Sequence, residues 1–311
     1  MYKKTEFVVI ILIIAFFSLA AYRRNSVWEN DLALWSDAAM KSPGEYRPHN
    51  NLGLAYLDKK DYGRAMDEFR ETLRLNPRAT KAYLNIGQIY EERGQFKDAV
   101  DYYQKALEIS PDSTGALHFL GNIYEKQSSL DLALHYYEKA QKTKQDNPRI
   151  LVSIGSILQK KGLFREAVSQ YRMALQIEPD IPEAYYNLGL AHDEKGLFND
   201  AIYYYRKALE LKPDYPQALS NSGIIYAKAG RLAEAIGLFR NALDIKPDDT
   251  ITLLNLGVAY EESAKSMGQS ARRKEFLDKA IEIYRMVLKL EPNNMQAVES
   301  IRRLRTMSNE Q

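Results

Sequence analysis

The sequence predicts an all-α solenoid, a right-handed superhelix of antiparallel helix pairs, and three residue series predict it. Glycine stands at Gly53, Gly87, Gly121, Gly155, Gly189, Gly223 and Gly257, each 34 residues after the last. Alanine keeps step at Ala65, Ala99, Ala133, Ala167, Ala201 and Ala235, followed four residues later by Phe69, Tyr103, Tyr137, Tyr171, Tyr205 and Phe239. Proline closes the period at Pro77, Pro111, Pro179, Pro213, Pro247 and Pro292. A unit of this size cannot bury its apolar face alone, so its stability comes from stacking on its neighbours. The expectation is one cooperative array without internal domain boundaries.

Each series has a physical reason to recur. Gly and Ala mark where the two helices of a pair approach too closely for larger side chains, while Tyr56, Tyr90, Tyr124, Tyr226 and Tyr260 fill the gaps between layers. Proline ends the second helix because it lacks an N–H and biases its predecessor away from helical angles. This period, with its order of Leu-Gly, Tyr, Ala, aromatic and Pro, resembles the tetratricopeptide repeat. The resemblance implies that the first helix of every pair lines a concave groove.

Residues 1–24 form an N-terminal membrane anchor or signal segment. Tyr2-Lys3-Lys4 precedes an apolar run from Phe7 to Ala21, broken only by Ser18, and Tyr22-Arg23-Arg24 follows. At about 1.5 Å per residue the run reaches roughly 22 Å, short of the ~30 Å hydrocarbon core, so a spanning helix needs snorkelling Lys and Arg and some bilayer thinning. The competing reading is a secretory signal with Ser18-Leu19-Ala20 as its cleavage site, which would release the repeats into the periplasm. Both readings export the repeats.

Residues 25–45 read as half a repeat acting as a cap, with Trp35 in the aromatic slot and Pro43 in the terminating slot, so that Leu32, Trp35 and Ala39 cover the first repeat. The string Arg24-Asn25, Trp28, Leu34-Trp35, Lys41-Ser42-Pro43 and Asn51-Leu52-Gly53 resembles the link between membrane helices and repeats in transmembrane-and-tetratricopeptide O-mannosyltransferase-like proteins. That resemblance tips the reading toward an anchor and implies that the array lies on the periplasmic side; with one apolar run, the expectation is a single-pass protein of a bacterial inner membrane, held through residues 7–22. The catalytic machinery of that family sits in many membrane helices, so nothing catalytic carries over to this chain.

Seven repeats fill residues 46–294, beginning at Tyr46, Thr80, Thr114, Pro148, Pro182, Pro216 and Thr250. The third is irregular, with Gln145 in the proline slot, Ser128-Ser129 in its turn and Gly115 and Phe119 in its first helix, and it reads as the softest joint. The seventh carries an insertion at about 263–273, read as a longer hairpin around Met267-Gly268. A sharper reading makes Lys265, Arg272, Arg273 and Lys274 a protruding basic contact. Residues 295–311 form the capping helix that the open end of a solenoid requires.

Composition narrows the function. With 43 basic and 41 acidic residues mixed along the chain, there is no electrostatic footprint for nucleic acid. The absence of cysteine excludes disulfides, thiolate chemistry and Cys-based zinc sites. His49, His118, His135 and His192 show no metal-ligand spacing, and no glycine loop cradles phosphate. No catalytic residue, metal or cofactor is expected, and the chain reads as a non-enzyme.

Binding is then the expected work. Asn51, Asn85, Asn187, Asn221 and Asn255 precede the Leu-Gly position, or its equivalent, at the sixth place of their repeats, with Phe119 and Ser153 interrupting the ladder. Similar asparagines line the groove in the O-linked N-acetylglucosamine transferase array, which these repeats also resemble. A row of amides can grip the backbone of an extended peptide, with Tyr186 as a stacking or apolar contact. Arg47, Lys81 and Arg149 at the second place, and Glu91, Glu125, Asp193 and Glu261 at the twelfth, place charge at the groove rims. The carboxylate clamp that holds chaperone C-termini needs Lys and Asn at the fifth and ninth places. Here the third repeat offers His118 and Asn122 without the lysine. The chain therefore reads as a membrane-tethered scaffold that binds an extended polypeptide or partner subunit. The alternative is a non-catalytic substrate-recognition subunit, or detached C-terminal portion, of a membrane glycosyltransferase. Oligomeric state is not legible.

Overall fold

The computed structural model describes residues 30–143, 146–267 and 271–309, all of whose regular elements are helices. The proposed anchor at 1–24, Trp28, Gln145 and Gly268 lie outside the described residues. Contacts gather into two compact units divided between residues 145 and 146, each described by itself below.

In the first unit α1 (Asp31–Lys41) packs on α2 (Tyr46–Asp58), which pairs with α3 (Tyr62–Leu75), followed by α4 (Thr80–Glu92) with α5 (Phe96–Ile109) and α6 (Thr114–Lys126) with α7 (Leu130–Thr143). Asn30 caps α1 by accepting from Ala33 N at 2.8 Å, and Asp61 caps α3 by accepting from Arg64 N at 3.1 Å, each meeting an N–H that the helix cannot satisfy itself. Ala39 is the buried residue of α1.

The second unit holds four pairs: α8 (Pro148–Lys160) with α9 (Phe164–Ile177), α10 (Pro182–Glu194) with α11 (Phe198–Leu211), α12 (Pro216–Lys228) with α13 (Leu232–Ile245), and α14 (Thr250–Lys265) with α15 (Ala271–Leu290). Pro148, Pro182 and Pro216 open their helices, where a missing N–H costs nothing and the fixed φ suits the first turn. The last helix, α16 (Met295–Asn309), packs on α15 through a core containing Tyr284, Val287, Ala297, Ile301 and Leu304.

Within each pair the glycine of the first helix faces the aromatic ring of the second. A Cβ added at Gly53 would lie 2.6 Å from the Phe69 ring, and one at Gly257 would lie 2.7 Å from the Tyr284 ring. The rings themselves are fully buried or nearly so, from Phe69 through Tyr103, Tyr137, Tyr171 and Tyr205 to Phe239 and Tyr284. These glycines are thus required by close approach, whereas the turn glycines Gly94, Gly162, Gly196 and Gly230 are required by backbone angle, with φ of 72–77°. Lys60 and Ser128 take the same left-handed conformation at φ of 58° and 60° without being glycine.

The seventh repeat alters the expected picture. Its first helix runs 16 residues and its second 20, against 13 and 14 in the sixth, so most of the insertion prolongs the two helices instead of looping out. Of the proposed basic contact, Lys265 is exposed but paired, its Nζ lying 2.9 Å from Glu261 and 2.8 Å from Glu262.

Candidate functional site

Among the sequence-predicted residues of the first unit, Asn51 and Asn85 are half-buried on the first helices α2 and α4. Asn51 Oδ1 accepts from Asn50 Nδ2 at 3.4 Å, while the Asn85 side chain bonds to no other described residue. Asn122 is already committed, accepting from the Tyr137 hydroxyl at 2.6 Å, and the His118 ring lies 5.6 Å from the Tyr137 ring. Phe119, which interrupts the ladder, stacks on Tyr103 with centroids 5.2 Å apart.

The second unit brings together Tyr186, Tyr205, Tyr215 and Asn221. The Tyr186 ring lies 4.9 Å from Tyr215 and 5.8 Å from Tyr205, and Asn221 Nδ2 donates to the hydroxyls of Tyr186 at 3.3 Å and Tyr205 at 3.4 Å. Burial pushes both phenols above their ordinary range, so they stand as neutral hydroxyls. Asn187 and Asn255 flank Asn221 one repeat to either side, and their half-buried side chains bond to no other described residue. The three asparagines are therefore chemically unequal: Asn221 ties two tyrosines together, while Asn187 and Asn255 keep their donors and acceptors unspent.

The twelfth-position acids do not form a free rim. Glu91 Oε2 accepts from the buried Tyr103 hydroxyl at 3.0 Å while its other oxygen holds Lys126 at 2.6 Å, and Glu125 accepts from Tyr137 at 2.9 Å. Glu261, only 2 % exposed, is held by Arg303 at 2.8 Å and by Lys265. Burial pushes Asp193 up, against the charge of Lys228. Sequence reasoning took these as rim charges because burial of the partner hydroxyl is invisible in a charge pattern. Of the second-position cations, Arg47, Lys81 and Arg149 are exposed.

One cleft was not foreseen. Between the first and second repeats, Tyr46, Arg47, Asn50 and Asn51 of α2 face Asn76, Arg78, Ala79, Thr80 and Lys81 across about 480 Å³. Asn76 and Arg78 escaped notice because they flank the terminating Pro77, where the repeat pattern reads only a helix stop. His49 bonds Glu68 at 2.7 Å and the buried His192 bonds the Leu188 carbonyl at 2.7 Å. Among the described residues no group of His, Asp and Glu is arranged to hold a metal ion.

Family models described as tetratricopeptide repeat match residues 38–114, 90–154 and 182–215, and one described as TPR repeat matches 155–196 and 223–263. No curated protein matches the sequence. Among solved structures the fold is similar to a chain of the APC/C hetero-tetramer Cut9-Hcn1, at 19% identity and a TM-score of 0.67 over 73% of this chain and 45% of that one. It is also similar to pilF of Pseudomonas aeruginosa, at 23% identity and a TM-score of 0.60 over 71% of this chain and 96% of that one. Yeast Tom70 aligns at 16% identity and a TM-score of 0.60 over 90% of this chain and 58% of that one. The chain thus spans less than half of the Cut9-Hcn1 chain it matches. With these family models together covering residues 38–215 and 223–263, and with a glycine–aromatic contact in every helix pair, the chain belongs to the tetratricopeptide repeat family.

Proposed function

We propose that this protein is a non-catalytic scaffold whose first helices bind an extended polypeptide or a segment of a partner subunit. The observation that carries the reading is the pair of unspent amides at Asn187 and Asn255, at equivalent places two repeats apart on either side of the Tyr186–Asn221 cluster. An extended strand offers N–H and C=O groups along its length, which is the complement of amides at fixed spacing. Tyr186 supplies an amphipathic surface beside them. No nucleic-acid partner is proposed, because basic and acidic residues balance along the chain.

The proposal includes a tether through residues 7–22 that holds the repeats outside the cytoplasmic face of a bacterial inner membrane. The basic flanks and apolar run of that segment support it. Among the described residues no helix is long and apolar enough to cross a membrane.

Crosslinking in native membranes, followed by identification of the captured protein, supplies the partner for the test. Replacing Asn187 and Asn255 together by alanine should weaken that partner by about one to two factors of ten while leaving the melting temperature in place. Asn221→Ala should instead lower the melting temperature. Unchanged affinity in the double variant would remove the ladder from the binding surface. For the tether, retention with membranes after a carbonate wash is expected, and release with a new N-terminus at Ala21 would establish cleavage.

A further inference from the structure

The repeats are built on one template, so a place where a single junction departs from it stands out. Two residues before the second helix pair begins, the chain has Arg78. At the same place before each later repeat it has Asp112, Asp146, Asp180, Asp214 and Asp248. The register thus exchanges an acid for a guanidinium at this junction alone. The exchange falls in the cleft between the first and second repeats, where Arg78 is joined by Arg47 and Lys81, cations at the second place of two successive repeats. No other two successive repeats carry cations there: the later residues are Gly115, Arg149, Glu183, Gln217 and Ile251.

The cleft of about 480 Å³ is lined by no carboxylate, and none of the three cations forms an ion pair with another described residue. The carboxylate whose charge bears on Arg47 is Glu45, which does not line the cleft. Arg47 Nε makes a long 3.4 Å contact to the Tyr46 hydroxyl, leaving most of its guanidinium fork unused. Three amides, Asn50, Asn51 and Asn76, complete the walls. Asn50 Oδ1 is buried and has no hydrogen-bond partner among the described residues, an arrangement that folding penalises and that a donor from a ligand would relieve.

We infer that this cleft is an anion-recognition site for an acidic peptide segment, in which Arg47, Arg78 and Lys81 bind side-chain carboxylates and the amides meet the backbone. Guanidinium and carboxylate match as planar forks, which favours Arg at such a site. A bare phosphate satisfies the cations but brings no N–H for Asn50, whereas a peptide brings both. The residue set uses the second, fifth and sixth places and the junction residues Asn76 and Arg78; its fifth and ninth places are Asn50 and Leu54, not Lys and Asn, so it is not the clamp that the sequence already lacks. The inference rests on the scaffold reading and gives the charge of its partner.

The test uses the full chain in detergent micelles and a fluorescein-labelled octapeptide of alternating Glu and Ala, with the Gln–Ala octapeptide as its neutral counterpart. The acidic peptide should bind, weaken steeply with added salt, and outbind the neutral one by at least about tenfold. Arg78→Asp restores the residue of the other junctions and so preserves the fold. Alone or with Lys81→Gln, it should weaken the acidic peptide by about tenfold or more at an unchanged melting temperature. Equal binding of the two peptides, or full affinity in the Arg78→Asp/Lys81→Gln variant, overturns the inference. Displacement of the acidic peptide by inorganic phosphate at equal concentration overturns it in favour of a phosphate site. If the acidic peptide is lost in the Asn187→Ala/Asn255→Ala variant but not in Arg78→Asp, this inference fails while the scaffold reading stands.

Discussion

The buried hydroxyl of Tyr171 donates to Gln159 Oε1 at 3.0 Å, so the ring that fills the space under Gly155 also ties the end of the first helix to the second. The same geometry joins Tyr103 to Glu91 at 3.0 Å and Tyr137 to Glu125 at 2.9 Å, with a longer 3.5 Å contact from Tyr284 to Glu261. Where the ring lacks a hydroxyl, at Phe69 and Phe239, the twelfth place is apolar, occupied by Leu57 and Ala227. In four of the five tyrosine pairs the buried phenol thus meets an acceptor at the twelfth place; Tyr205 is the exception, its hydroxyl accepting from Asn221.

A double-mutant cycle on Tyr171 and Gln159 follows from that pairing. Gln159→Leu, which leaves the hydroxyl buried and without this acceptor, should cost about 1–3 kcal/mol. Tyr171→Phe/Gln159→Leu, which reproduces the Phe69–Leu57 combination, should recover most of the loss. Denaturant unfolding of the four proteins measures the coupling, and strictly additive losses would contradict it.

Gly189→Ala should be among the most damaging single substitutions in the second unit. Its Cβ would stand 2.5 Å from Tyr205 Cδ1, against a ring with no free space to retreat into. The overpacking should cost about 1–3 kcal/mol or more, read as a fall in melting temperature. Gly237→Ala, with nothing within 4 Å of its Cβ, is the control and should be neutral or slightly stabilising.

Ser128→Gly should stabilise the first unit. Ser128 holds φ of 60° at a turn where four other repeats place glycine, and relief of that conformation should yield about 1 kcal/mol. Hydrogen exchange should be fastest in residues 128–143 before the change and slower after it, since the effect of a weak joint in a solenoid is local. Uniform exchange rates across the unit would contradict this.

Acid should loosen the last helix. Burial pushes the Glu261 carboxyl up, but hydrogen bonds from Arg303 and Lys265 prevail and hold it below its ordinary range. A folded value below the unfolded one gives stability that is present above the unfolded pKa of about 4.3 and is lost as pH falls through the folded value. Arg303→Met should therefore raise the pH at which α16 detaches, followed by exchange of its amides between about pH 5 and pH 3. An acid transition identical in wild type and variant would show that the pair does not hold the helix.

Much of the fold was legible because the determinants repeat. Gly, Ala, aromatic and Pro each recur for a steric reason, so their period locates the first helices at Tyr46, Thr80, Thr114, Pro148, Pro182, Pro216 and Thr250 without any tertiary information. The site was less legible. Sequence position placed Asn187, Asn221 and Asn255 alike, but the third dimension hands Asn221 two tyrosine hydroxyls from the preceding repeat. Arg78 is legible only when its place is compared across repeats, because the repeat pattern reads Pro77 beside it as a helix stop.

The proline that opens several helix pairs has one more consequence. Excision of residues 182–215 would run Asp180-Ile181 directly into Pro216, a junction nearly identical to the one removed, Asp214-Tyr215-Pro216. Each glycine would still face its own aromatic, since that contact lies inside a pair and not between pairs. Such a chain can be lengthened or shortened by whole cassettes of its coding sequence with no compensating substitution. Reach becomes a matter of copy number, open to change in a single recombination event.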